Sequence, residues 1–203
     1  NRKKNELEGA NLQAELTLLK VQLKPHFLFN TLNNLYSLAI NGSPLTSEGI
    51  ERVTNLLRYI LHECSEEEVE LSKEINLINN YLELEKLRYD KRLKLIFHQD
   101  VKNPETKIAP MILFTFIENC FKHGSSKDAG SPFIDISLSE SNGTINFSAK
   151  NSIATGVVKT ISGKGIGLVN TRKRLNYLYD GKYQLQIQNS GKEFTVQLTI
   201  TTN

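Results

Sequence analysis

The stretch QLKPHFLFNTLNNL, residues 22–35, decides how the N-terminal part of this chain folds. A helix advances by about 100° per residue, which gathers one apolar face from Leu28, Leu32, Leu35 and Ala39. His26 lies about 200° from Leu28, in line with Asn30, Asn33 and Ser37. Proline inside a helix costs on the order of 3 kcal/mol, so Pro25 predicts a kink that serves a purpose. We therefore expect an outward-facing imidazole that can attack an electrophile, the alternative being a surface histidine without a role.

Helical patterns flank this stretch on both sides. Leucines alternate at spacings of four and three from Leu12 to Leu23, which is typical of a helix that packs on another helix. The turn sequence Asn41–Pro44 then separates a second amphipathic segment, Ile50–Leu61, from the first, and a third carries Ile75, Ile78 and Leu82. A helical hairpin cannot cover its own apolar stripe, so a partner chain or the rest of this chain must cover it.

From Leu93 onward the pattern changes to mixed strands and helices. An apolar helix is expected over Ile108–His123, ending at Gly124, and a helix over Leu168–Tyr179. Asn142 and Gly143 predict a tight hairpin turn. The expected strands are 93–98, 133–138, 144–149, 183–187 and 193–200. This order predicts an α+β fold, with a helical hairpin followed by an α/β sandwich.

Two further clusters carry chemistry. The apolar helix ends in Glu118, Asn119, Lys122 and His123, which could hold Mg²⁺ through an amide oxygen and place a cation beside phosphate, or could simply be a polar helix end. The loop SGKGIGL, residues 162–168, alternates glycines directly before a helix, which lets the backbone approach an anion. It matches neither a Walker loop nor the dinucleotide fingerprint, and flexible surface loops look similar.

Composition narrows the classes of function. The 203 residues carry a formal net charge of +3, and the lysines and arginines are dispersed, so direct nucleic-acid binding is not expected. Cys64 and Cys120 lack metal-ligand or CxxC spacing and are expected to be buried, reduced thiols. No apolar run reaches the roughly eighteen residues of a membrane span. The chain begins Asn-Arg-Lys-Lys, so we expect a soluble piece excised from a longer protein. The basic cluster is either an ordinary solvated end or a segment beside a transmembrane helix on the cytoplasmic side.

Taken in this order, the segments resemble the sensor histidine kinases of the LytS/YehU type. Residues 22–35 resemble that family's phosphoacceptor box, and ENCFKHG (118–124) resembles the N box of the ATPase superfamily that includes gyrase and heat-shock chaperones. GKGIGLVNTRKRL (163–175) resembles its glycine box, and residues 71–89 resemble the family's linking helix. The resemblance implies a dimerising four-helix bundle built from the hairpin of residues 1–66, and an ATP-binding domain over residues 67–203.

The resemblance also implies roles for single residues. His26 would accept the γ-phosphoryl group of ATP, Asn119 would coordinate Mg²⁺, and Glu118 would orient the triphosphate or act as a base. The remaining nucleotide-binding residues would be Lys122, His123, Asn151, Gly163, Lys164, Gly165, Gly167 and Leu168. Two positions depart from the family pattern. Asn151 stands where an adenine-binding Asp is usual, and Phe27 stands where better-known histidine kinases place an acidic residue after the phosphoacceptor.

On this basis the expected function is ATP-dependent autophosphorylation of His26 in a homodimer, followed by transfer to an aspartate of a response regulator, often one with a DNA-binding output domain. The full-length protein would carry an N-terminal membrane sensor and lie at the cytoplasmic face of the bacterial plasma membrane. Two alternatives remain open at this point. One is a nucleotide-binding pseudokinase that relays conformation, and the other is an ATP-hydrolysing machine of the same superfamily.

Overall fold

The computed structural model describes residues 25–89, 93–124, 132–153 and 166–202. The predicted helix Leu12–Leu23 and residues 163–165 of the glycine box lie outside these ranges. Five helices lie within them: α1 Pro25–Ile40, α2 Leu45–His62, α3 Leu71–Tyr89, α4 Ile112–Gly124 and α5 Ile166–Leu178. The strands are β1 Val69–Glu70, β2 Lys94–Val101, β3 Lys107–Ile108, β4 Phe133–Ser141, β5 Thr144–Ser152, β6 Tyr183–Asn189 and β7 Glu193–Thr201.

The hairpin of α1 and α2 turns where the sequence predicts. Gly42 has φ +63°, and the N–H of Ser43 donates to the Leu38 carbonyl at 2.9 Å, the bonding that closes a helix on a left-handed residue. The two helices approach closely at Gly49, where an ideal Cβ would lie 2.2 Å from Leu35 Cδ2. A side chain at position 49 would have to displace Leu35, so the glycine permits this close approach of the two helices.

The packing face of α1 is rotated from the predicted one. Phe27, Thr31 and Leu35 are buried, whereas Leu32 and Ala39, which the pattern placed inside, are exposed. The buried face of α1 contains Phe27, whose large ring packs inward against Tyr81 of α3. A second apolar row is left exposed along α1, consisting of Phe29, Leu32, Tyr36 and Ile40.

The second half is built on a five-stranded sheet of order β2-β4-β5-β7-β6. β2 pairs in parallel with β4, with α4 as the crossover, and the other neighbours are antiparallel. Asn142 (φ 50°) and Gly143 (φ 73°) form the tight turn between β4 and β5. Alternate residues of each central strand are fully buried under the helices, such as Ile136, Ala149 and Val196. The predicted α+β class and its element order are confirmed.

One boundary was predicted wrongly. The helix expected from Ile108 begins at Ile112, because Lys107–Ile108 instead pairs with Val69–Glu70 in a two-stranded sheet. Pro110 and Met111 follow, and Met111 has φ +62°, which is incompatible with helix. Such short strands carry no periodicity that a sequence pattern could reveal.

Candidate nucleotide-binding site

Helix α4 presents the N-box residues along its solvent side. Leu113, Ile117 and Cys120 are fully buried against the sheet, which leaves the opposite side of the same helix open. Glu118 and Asn119 are half-buried there, and Lys122 is exposed. The buried apolar residues of α4 thus hold the helix against the sheet and fix the positions of its polar residues.

The N-terminus of α4 is held by a buried carboxylate from α3. Glu74 is completely buried and accepts hydrogen bonds from the Met111 N–H at 2.9 Å and the Phe114 N–H at 3.3 Å. The Tyr59 hydroxyl of α2 donates to it at 2.6 Å. Burial raises the pKa of Glu74, and the three donors and the guanidinium of Arg174 on α5 oppose that shift. One side chain therefore connects the hairpin with both helices of the candidate site.

Asn119 brings the N box and the glycine box together. Its Nδ2 donates to the Thr115 carbonyl at 2.9 Å, which fixes the amide so that Oδ1 points away from the helix backbone. An ideal Cβ on Gly167 would lie 3.9 Å from this Nδ2. The first turn of α5 therefore sits directly beside Asn119, although 48 residues separate the two positions in sequence. Leu168, the next residue of α5, is buried.

Asn151 lies near the end of β5, between Ile134 of β4 and Phe194 of β7. It is completely buried, and its Nδ2 donates to the Ser152 carbonyl at 2.8 Å. Within the described part of the chain, Oδ1 is buried without a hydrogen-bond partner. A buried acceptor without a donor costs about 1–3 kcal/mol, so its retention calls for a donor supplied from outside the protein.

The donor set around Asn119 suits a cation that keeps most of its own shell. Among the described residues, no group of three or more His, Cys, Asp or Glu side chains could hold a metal ion. Asn119 could supply one amide oxygen to a cation such as Mg²⁺, which commonly keeps water and phosphate among its ligands.

A second buried carboxylate faces the N box from α3. Glu85 is 1% exposed and pairs with Arg88 at 3.2 Å, and Tyr81 donates to it. Burial raises the pKa of Glu85, Arg88 and the Tyr81 hydrogen bond oppose this, and the carboxylate of Glu118 adds a smaller increase. Glu118 therefore lies within electrostatic reach of the linking helix.

Sequence reasoning missed Glu74, Glu85 and Arg174. All three are nearly inaccessible to solvent, and burial lowers the pKa of Arg174 while Glu74 opposes that shift. The available signal was weak. Glu74 and Glu85 fall at positions of α3 that a strict apolar stripe would assign to Leu or Ile. A charged residue at such a position indicates a buried partner on another element.

Some predicted site residues cannot be placed in the same way. His26 and His123 lie in α1 and α4, but their side chains are outside the described set, and Gly163, Lys164 and Gly165 are outside the described ranges. Both cysteines are buried thiols, as predicted. Burial raises the pKa of the Cys120 thiol to about 12. None of the helices in the described ranges has the length and apolarity that crossing a bilayer requires.

Comparison with known proteins places these features in context. A family model described as histidine kinase matches residues 14–93. The sensor protein LytS of Staphylococcus epidermidis is 28% identical over 207 residues, covering 96% of this chain and 35% of that protein. The sensor histidine kinase YpdA of Escherichia coli is 29% identical over 181 residues, covering 85% of this chain and 32% of that protein. The chain thus spans about a third of the length of the curated relatives it matches.

Among solved structures, the histidine kinase domain of the Erythrobacter litoralis EL346 blue-light activated histidine kinase superposes with a TM-score of 0.50. The match covers 95% of each chain at 11% identity, so it supports the fold alone. The sequence relatives and the family model confirm the resemblance predicted from the motifs.

Proposed function

Because the chain is a relative of the LytS-type sensor histidine kinases, we propose that it binds ATP and phosphorylates its own His26. In this reaction the bond between the γ-phosphorus and the β–γ bridging oxygen of ATP breaks, and a phosphorus–nitrogen bond forms at an imidazole nitrogen. ADP leaves, and the imidazole loses a proton to solvent or to a base, for which Glu118 is the candidate. An imidazole that is neutral near pH 7 needs little help to attack.

The observation that carries this proposal is the unpartnered oxygen of Asn151. Oδ1 is an acceptor in a completely buried place, and the exocyclic amino group of adenine is a donor. Guanine presents a carbonyl oxygen at the corresponding position, so two hydrogen-bond acceptors would face each other there. The site should therefore prefer ATP to GTP, since leaving buried polar groups unpaired is the strongest source of discrimination between similar ligands.

The polyphosphate would lie where the N box and the glycine box meet. Asn119 would hold Mg²⁺ through its Oδ1, and Lys122 and His123 would lie near the phosphate oxygens. Gly163, Lys164, Gly165, Gly167 and Leu168 would line the loop and helix start above them. Bound Mg²⁺ would neutralise charge on the phosphates, while the residues of the chain orient the γ-phosphorus.

The exposed apolar row of α1 supports a homodimer. Phe29 is 65% exposed, Tyr36 69% and Ile40 67%, and all three follow one side of the helix. The hairpin of a second protomer would cover this row, which gives the proposed four-helix bundle built from residues 1–66 of both protomers. We propose that the full-length protein carries an N-terminal membrane sensor and that the part described here lies at the cytoplasmic face of the plasma membrane. An aspartate of a response regulator then receives the phosphoryl group.

Incubation with γ-labelled ATP and Mg²⁺ tests the kinase. We expect label that is acid-labile, alkali-stable and absent from His26→Gln. Nucleotide bound without label would instead indicate the conformational relay, and released phosphate without label would indicate the hydrolytic machine.

Calorimetry with Asn151→Ala tests the adenine contact. The wild-type protein should bind ATP at least about tenfold more tightly than GTP, and the variant should lose most of that preference. Asn146→Ala is the matched control, because Asn146 is an exposed residue of the same type on the same strand. Equal loss of preference in both variants would contradict the proposed contact.

A further inference from the structure

Phe27 follows His26 directly, yet it belongs to the core of the other half of the molecule. Its side chain is 8% exposed, and its ring centroid lies 5.0 Å from that of Tyr81 on α3 at a tilt of 41°. Two positions further along the same helix, Phe29 is 65% exposed. Phe27 therefore lies on the buried face of α1, which also carries Thr31 and Leu35, and Phe29 lies on the opposite face.

Tyr81 in turn connects this contact to the N-box helix. Its ring meets those of Phe114 at 4.9 Å and Phe121 at 5.3 Å, both edge to face, the geometry that aromatic pairs favour. Phe121 directly precedes Lys122 and lies two residues after Asn119 on α4. A single aromatic ring thus separates the helix that carries His26 from the helix that carries the candidate magnesium ligand.

The backbone at this point is also held. The Thr31 hydroxyl donates to the Phe27 carbonyl at 2.9 Å in a buried position. The ring of Phe27 and the carbonyl of the same residue are therefore fixed at once, one against α3 and the other within α1. Since His26 is the adjoining residue, its backbone is located by the same two contacts.

Resting on the proposed function, we propose that Phe27 is a positioning residue: it docks the phosphoacceptor helix on the catalytic half of the same chain, so that His26 takes the γ-phosphoryl group from the ATP of its own protomer. Phe27 moves no proton. Better-known histidine kinases carry an acidic side chain at this position, whereas here the aromatic ring of Phe27 fixes the position of the helix that carries His26. Such positioning matters because misplacing reacting groups by about 1 Å can lower the rate on the order of a hundredfold.

Single-turnover labelling with Phe27→Ala, Phe27→Leu and Tyr81→Leu tests the positioning. At saturating ATP, Phe27→Ala should lower the initial rate by about tenfold or more, with the ATP dissociation constant changed less than about twofold. Phe27→Leu, which keeps apolar volume, should recover part of the rate. Combining Phe27→Ala with Tyr81→Leu should lower the rate little beyond Tyr81→Leu alone, because Tyr81→Leu already removes the contact with Phe27.

Tyr177→Ala serves as the control for loss of an aromatic side chain, since Tyr177 is 56% exposed on α5 and makes none of these contacts. An unchanged rate in Phe27→Ala would overturn the proposal. A parallel fall of rate and ATP affinity would do so as well, because it would indicate only a structural role.

Mixed dimers test transfer within one protomer and do not depend on the folding of a Phe27 variant. A His26→Gln subunit, which keeps its nucleotide site, is paired with a longer, tagged Asn119→Ala subunit, which keeps its histidine. Transfer within a protomer predicts no label on the tagged subunit, and label there would overturn the proposal. Wild-type protein that takes up no label at all would refute the proposed function itself, and this result is distinct from both.

Discussion

The hairpin and the sheet half of this chain bury apolar side chains in different ways. Among the described residues, seven large apolar side chains are exposed on α1 and α2, against three on the sheet half, all of them on α5. The inward residues of the central strands are inaccessible, as for Ile136, Ala149 and Ile200. The sheet half closes its own core, whereas the hairpin leaves much of its apolar surface for another molecule to cover. We infer that the stability of the hairpin depends on its surroundings and that of the sheet half does not.

The junction between the two regions should give the largest effect. Glu74→Ala removes the acceptor of Tyr59 and of two N–H groups of α4 and leaves Arg174 without its opposite charge, which should cost about 3–5 kcal/mol. Urea unfolding followed by circular dichroism measures this loss. We also expect the two halves to unfold less cooperatively, because Glu74 is one of the residues that couple them.

Glu74→Gln provides the matched control. It keeps an oxygen that can accept from Tyr59 or from α4, so it should lose clearly less stability than Glu74→Ala. Equal losses would mean that the volume of the side chain matters and its hydrogen bonds do not.

Within the hairpin, Gly49→Ala should have an intermediate effect. Alanine normally stabilises a helix by up to about 1 kcal/mol over glycine, but here its Cβ would meet Leu35, which is itself buried. Overpacking of this kind costs about 1–3 kcal/mol, so we expect net destabilisation in thermal unfolding. Ser47→Ala, exposed on the same helix, should change stability by less than about 0.5 kcal/mol. A more stable Gly49→Ala protein would show that the two helices can move apart.

Within the sheet half, Glu140→Gln should have the smallest effect and a pH dependence of known sign. Burial alone raises the pKa of Glu140, but hydrogen bonds from the N–H groups of Asn103 at 2.6 Å and Gly143 at 3.0 Å outweigh it and hold the pKa below its ordinary value. A carboxylate with a lowered pKa stabilises the fold at neutral pH, and this contribution disappears as the pH falls through the folded pKa.

Denaturant unfolding between pH 7 and pH 3 measures this contribution. At pH 7 the variant should be less stable by about 1 kcal/mol, the usual worth of a hydrogen bond, and at acid pH the difference should shrink. If the stabilities of the wild-type protein and the variant differed by the same amount at every pH, the lowered pKa of Glu140 would be contradicted.

Local patterns predicted the features that local forces decide. The Asn142–Gly143 turn needs two residues with positive φ, and the apolar helix expected to end at Gly124 is α4, which spans Ile112–Gly124. The start of α4 could not be predicted in this way. Met111 adopts φ +62° because its N–H is held by Glu74, a residue 37 positions earlier. No pattern around Met111 contains that information.

In the candidate site, too, the sequence predicted the residue types, and only the fold shows which residues lie together. The residue types of the N box and the glycine loop pointed to phosphate and magnesium, but only the fold shows that Gly167 lies beside Asn119. The substitution at Asn151 was visible in sequence, whereas the lack of a partner for its Oδ1 was not. The inward turn of Phe27 also escaped the helical pattern, because Leu28 and Leu32 gave an equally apolar face and only contact with Tyr81 decides between them.

The burial of both cysteines has a practical consequence. With a pKa of about 12, Cys120 is almost entirely protonated at neutral pH, and Cys64 is inaccessible to bulky reagents. A cysteine introduced at an exposed position, at Ser47 on α2 or at Asn176 on α5, would therefore react selectively with a maleimide dye. A pair of such dyes would follow the distance between the two halves through a catalytic cycle while both native cysteines stay in place.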